Sequence, residues 1–89
     1  MKKKVYVITR EMELASCYDY LGTYYIEKDT TVAVFDELEK AKAYLAKIDV
    51  SKYVQYKPKA NETRTDMEIK LANGVGDIYW WVIKEMEVQ

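Results

Sequence analysis

Asp77 to Val88 reads DIYWWVIKEMEV, and the fold turns on how this stretch sits. Side chains alternate across an extended strand, so Ile78, Trp80 and Val82 point to one side while Tyr79, Trp81 and Ile83 point to the other. Neither side is polar there, and a strand that is apolar on both faces belongs at the centre of a sheet. From Lys84 onward the pattern turns mixed, with Glu85 and Glu87 opposite Lys84, Met86 and Val88, as expected of a strand running out of the core into water.

Just upstream, Thr65 to Leu71 alternates cleanly, Met67, Ile69 and Leu71 against Asp66, Glu68 and Lys70, which predicts a half-buried strand. Between the two lies ANGVG, Ala72 to Gly76, with the Asn-Gly pair that favours a type I′ hairpin turn. A two-residue Asn73-Gly74 loop places Ile69 opposite Ile78, Met67 opposite Trp80 and Thr65 opposite Val82. A four-residue loop keeps the same faces, whereas a three-residue loop sets Met67 and Ile69 with Tyr79 and Trp81. On the preferred even register the second face carries Tyr79, Trp81 and Ile83 beside Glu68, Asp66 and Arg64, an aromatic patch with charges around it.

Farther out, Lys4 to Leu14 opens with the β-branched run Val5 to Ile8, apolar on both faces, and predicts a second central strand. SCYDYLG, Ser16 to Gly22, reads as a loop or an irregular strand end. Thr23 to Phe35 holds two β-rich clusters, TYYIE and TTVAVF, which form a hairpin or one bent strand, the hairpin being preferred. Asp36 to Ile48 is rich in Ala, Leu, Glu and Lys and predicts a helix, with Asp36 as N-cap and Glu39 at the capping-box spacing. Leu38, Ala41, Leu45 and Ile48 form its one apolar stripe, and Tyr44 lies at the stripe's edge. Tyr53 to Tyr56 is a short strand candidate ended by Pro58, and Lys57 to Arg64 reads as an exposed loop.

These elements predict a single α+β domain over residues 1–89, a two-layer arrangement in which one helix covers one face of a four- to five-stranded, mostly antiparallel sheet. The apolar content of 49% and the small number of Gly and Pro residues belong to an ordered globular chain. Fourteen basic and 15 acidic residues are interspersed to a net charge of −1, so no global field draws the protein to nucleic acid or to an anionic membrane. The single cysteine, Cys17, allows no intrachain disulfide and suits a reducing compartment. MKKK followed by the short VYVIT is no signal peptide and no apolar run spans a bilayer, so a cytoplasmic location is expected.

Catalytic chemistry finds little to build on. The chain has no histidine, so the usual neutral-pH acid-base group is absent and Cys17 has no imidazole to activate it. Tyr18, Asp19 and Tyr20 read as turn and surface residues. Asp66 with Glu68, and Glu85 with Glu87, are paired on strand faces, where carboxylates hold a cation only if further oxygens converge. Gly74 and Gly76 precede a strand and not a phosphate-binding helix. No enzyme, metal or cofactor is expected. Tyr79 and Trp81 could stack the bases of a single strand from an open sheet face, yet Asp66 and Glu68 beside them repel phosphate, so single-stranded nucleic-acid binding is the alternative and protein binding the preferred reading.

The opening VYVIT, the helix start FDELEKAKAYL and the closing YWWVIKEMEV resemble small uncharacterised domains of Gram-positive bacteria and their phages. Those domains begin V-Y-V, continue F-x-x-x-E-K-A and end in an aromatic-rich acidic strand. The resemblance covers the two ends and the helix and lends no catalytic residue. It implies an accessory or mobile-element protein that works by binding and occluding a larger protein. One helix cannot cover both sides of the sheet, so the second side is expected to meet another protein, a second copy of the chain, or the chain's own Glu13 to Tyr25 segment. The partner-binding residues expected on that side are Tyr79, Trp81, Ile83, Asp66, Glu68 and Arg64.

Overall fold

The computed structural model describes residues 3–14 and 25–88. Strands β1 (Lys3–Leu14), β2 (Tyr25–Phe35), β3 (Asn61–Arg64), β4 (Glu68–Ala72) and β5 (Ile78–Val88) pair antiparallel, and helix α1 (Leu38–Ala46) follows β2. The order across the sheet is β2-β1-β5-β4-β3. The stretch that is apolar on both sides is therefore the middle strand, and β1 lies beside it as the second inner strand. α1 packs on β1, β2 and β5 to give the expected two-layer α+β arrangement. Among the described residues no helix is long and apolar enough to cross a membrane. The reading of residues 16–22 as a loop lies outside the described residues, as does most of the 13–25 segment considered as a cover for the sheet.

α1 buries Ala41 and Leu45 and leaves Tyr44 at the margin, 5.4 Å from the ring of Phe35. Its start differs from the capping box expected at Asp36. Glu37 is the cap residue and makes no side-chain cap hydrogen bond. The Asp36 carboxylate is drawn instead to Lys40 one turn on, at 3.1 Å. The other end of the helix is closed from a distance by Arg64, whose guanidinium donates to the carbonyls of Leu45 at 3.2 Å and Ile48 at 3.1 Å. A helix end leaves such carbonyls without partners, and a cation there also opposes the negative end of the helix dipole. Arg64→Met is accordingly expected to cost about 1–2 kcal/mol and lower Tm by roughly 5–10 °C in a thermal melt, and an unchanged Tm would show the fork to be idle.

Three local expectations are corrected. β2 is one bent strand and not a hairpin: Lys28 and Asp29 do not reverse the chain, which bulges against β1 between Ile8 and Thr9 and again between Arg10 and Met12. Asp29 takes the bend with φ 55° and holds Lys84 at 2.6 Å. Residues 53–56 do not pair as a strand. Asp49 accepts from both the backbone N–H and the hydroxyl of Ser51, winding Ser51–Tyr53 into a 3-10 turn, and Lys57–Lys59 forms a second such turn around Pro58. The end of the expected 57–64 loop is β3, a short charged edge strand of the kind that discourages further pairing.

The largest correction concerns the β4–β5 connection. Ile69 lies opposite Trp81 and Leu71 opposite Tyr79, with residues 73–77 between the strands. The loop is odd in length, so the faces are those of the three-residue alternative and not of the preferred two-residue turn. Asn73 causes this. A type I′ turn needs positive φ at both central residues, and here only Gly74 and Gly76 adopt it, each at 96°. Asn73 is instead fully buried and builds the loop from inside: its Oδ1 accepts from the N–H groups of Val75 and Asp77, and its Nδ2 donates to Asp77 Oδ2 at 3.0 Å. Its carbonyl accepts from Gln55 and Tyr56, which anchors the 51–60 segment against the sheet.

Candidate functional site

That odd loop decides which side of β5 faces the helix. Tyr79, Trp81 and Ile83, expected on an open face, are 7%, 2% and 5% exposed and form the core with Ile8, Ile69, Leu71, Ala41, Leu45 and Val50. Tyr53 closes over them, its ring 4.7 Å from Tyr79 and 5.3 Å from Trp81. The other three expected partner residues are dispersed. Arg64 serves the helix end, Asp66 pairs with Lys42 of α1 at 3.3 Å, and Glu68 accepts from the Trp80 indole N–H at 2.9 Å. The expected site is thus not assembled as a surface, because five of its six members face or serve the helix side. Glu68 alone stays on the other side.

The face turned away from α1 carries Ile78, Trp80, Val82, Met86 and Val88 of β5, with Val5, Val7 and Thr9 of β1 and Val34 of β2. Val34, Ile78, Met86 and Val88 are each about half exposed, at 55%, 49%, 52% and 47%. Trp80 is fixed between Glu68 and Lys70, whose ammonium lies 5.2 Å from its ring centroid. Beside it, Glu11, Glu13, Ile26, Lys28 and Ile78 frame a concavity of about 530 Å³. Among the described residues the helix layer is single and no element lies over this face, on which Val7 and Thr9 are nonetheless buried; the molecule measures 52 × 28 × 15 Å, and its radius of gyration of 15.0 Å exceeds the roughly 12 Å of a compact chain this long. Charged residues stand at both ends of the face, with Lys28 and Lys70 beside the carboxylates near Trp80 and Lys84 also paired with Asp29. Glu13 and Glu11 oppose Ile78 and Trp80 at one end, while Lys3 and Lys84 oppose Val88 and Val7 at the other.

A second concavity, of about 450 Å³, lies on the helix side, where the end of α1 and the turn after it meet the sheet. Arg10, Val32 and Trp81 come from the sheet, Tyr44, Lys47 and Ile48 from the helix end, and Asp49, Lys52 and Tyr53 from the turn. Arg10 donates to Glu27 at 3.0 Å, and Thr30 holds the same carboxylate oxygen at 2.6 Å. Burial works against the Arg10 charge, but the Glu27 hydrogen bond and the nearby Tyr53 outweigh it and hold the guanidinium above its ordinary pKa. The hydrogen bonds from Ser51 keep the Asp49 carboxyl below its ordinary value.

No protein-family model matches the chain, and no curated protein and no solved structure matches it. The residues that sequence reasoning passed over are Trp80, Met86, Val88 and Val34 on the uncovered face and Arg10 in the cleft. A signal for the first group was present in β1, where Met12 and Leu14 alternate with Glu11 and Glu13. Once β1 and β5 are paired, that alternation marks the side of Trp80 as the wet one.

Proposed function

We propose that the protein is a non-enzymatic protein-binding module whose recognition surface is the uncovered sheet face around Trp80, with a second copy of the chain as occupant. The observation that carries this reading is the row of half-exposed apolar side chains, Ile78, Met86, Val88 and Val34, on a face with no layer over it among the described residues. Their exposed area is on the order of 400 Å², well within the largest apolar patch a monomer ordinarily shows and often a functional one. The placement of Glu11, Glu13 and Lys3 is compatible with self-association. A two-fold axis perpendicular to the strands lays Glu11 and Glu13 of one copy over Lys3 and Lys84 of the other, whereas a parallel arrangement opposes like charges. The same carboxylates, with Glu68, surround Trp80 and disfavour a nucleic-acid strand on this face.

The small accessory proteins that the sequence resembles are in keeping with a binding role, and the absence of histidine from the chain leaves little for acid-base catalysis. Light scattering over a concentration series tests the proposal. The wild type is expected as a dimer, and Met86→Glu, at a position exposed enough to leave the monomer fold intact, sets a carboxylate against the partner's Glu11 and Glu13. It should raise the dissociation constant at least tenfold, with Glu13→Lys restoring part of the loss. A monomer at every concentration would exclude the second copy and leave the face to a larger partner protein.

A further inference from the structure

We infer that the cleft between the end of α1 and the sheet is a binding site for a small organic oxyanion, its carboxylate or phosphate held by Arg10, Lys47 and Lys52 and its flat apolar body lodged against Val32, Tyr44 and Ile48. This site is on the opposite side of the sheet from the proposed protein-binding face and stands independently of it.

Arg10 occupies an unusual place. It lies on the helix side of β1 between Ile8 and Met12 and directly opposite Trp81, where the alternation calls for an apolar residue. Glu27 takes one terminal nitrogen of the guanidinium and Tyr53 lies beside it, while the buried Arg10 Nε has no acceptor. The side chain as a whole stays 23% exposed, so the open edge of its guanidinium faces the cleft, and the planar fork of arginine suits a carboxylate or phosphate there. The mouth of the cleft adds two more cations. Lys47 and Lys52 have no carboxylate within ion-pair distance among the described residues, and Lys52 rests only over the ring of Tyr53 at 5.2 Å. The one carboxylate in the lining, Asp49, is occupied by the N–H and hydroxyl of Ser51. Helix carbonyls that would repel an anion here are turned to Arg64. The volume of about 450 Å³ is that of a small-molecule site and larger than a lone inorganic anion needs.

The test is a two-dimensional proton–nitrogen NMR titration of the wild-type protein at low salt, reading the Arg10 Nε–H signal and the Trp81 indole, with benzoate, adenosine monophosphate and inorganic phosphate as probes. Benzoate or adenosine monophosphate is expected to shift both signals saturably, whichever binds more tightly identifying the head as carboxylate or phosphate. In Lys47→Ala/Lys52→Ala, two exposed positions whose change leaves the fold intact, affinity should fall at least tenfold. Inorganic phosphate binding as tightly as either organic probe would overturn the organic ligand. No saturable shift of Arg10 Nε–H up to on the order of 10 mM probe, or a shift indifferent to the lysine variants, overturns the site itself.

Discussion

Trp81→Ala is expected to destabilise the protein severely, moving its cooperative transition in circular dichroism to a much lower temperature. Trp81 is 2% exposed at the centre of the middle strand, in ring contact with Tyr53 and Tyr79 and opposite both Arg10 and Ile69. Truncating a buried tryptophan removes its transfer free energy and leaves a cavity, together about 3–5 kcal/mol. A domain of this length has only about 5–13 kcal/mol to lose, so the fall in Tm is expected to be about 15 °C or more. The neighbouring Trp80→Ala supplies the contrast. Trp80 is half-buried on the uncovered side and held by Glu68 and Lys70, so its truncation is expected to cost about 1–2 kcal/mol and leave a folded chain. If Trp80→Ala unfolds the protein and Trp81→Ala does not, the inner and outer faces of β5 are the reverse of those described.

Gly74→Ala is expected to release the 51–60 segment from the sheet. At φ 96° an L side chain is strained, and a Cβ at this position overlaps the carbonyl oxygen of Tyr56 and lies 2.9 Å from its carbonyl carbon. The obstruction is backbone and not the end of a flexible side chain, so either the loop or the segment must move. The hydrogen bonds of Gln55 and Tyr56 to Asn73 O are the first to go, and with them the seating of Tyr53 over the core. The expected loss is about 2–4 kcal/mol by chemical denaturation. Hydrogen exchange should show faster exchange at the amides of Gln55 and Tyr56. Gly76→Ala, at the same φ, separates torsional strain from the clash and should lose less. Equal losses at the two glycines would mean that the approach of Tyr56 does not constrain the loop.

Both effects bear on how the fold is written in the chain. The helix is legible because Ala41 and Leu45 recur at its period within a run free of Gly and Pro, and local propensity and burial agree there. The two inner strands are legible because Val5 to Ile8 and Ile78 to Ile83 are apolar on both sides. What was not legible about the site follows from that same property. A strand with two apolar faces has no preferred inside, so period-two alternation in β5 cannot choose between Trp80 and Trp81. In the expected site, Arg64 looked like a rim charge because its carbonyl partners are 16 to 19 residues away along the chain. Arg10 was equally silent as a cleft residue, since its neighbours Lys47, Lys52 and Tyr53 reach it only after the helix has folded back.

The sequence by itself determined the class of the fold, the helix after β2, the central strand and the absence of histidine, because each rests on short-range pattern or on composition. Tertiary structure decided which face is buried, that β2 runs unbroken, that residues 61–64 pair as an edge strand, and that a basic cleft stands beside the helix end. Each of these depends on contacts between distant residues, chief among them the buried Asn73 turn, whose odd length turns Tyr79, Trp81 and Ile83 inward and leaves Trp80 outside.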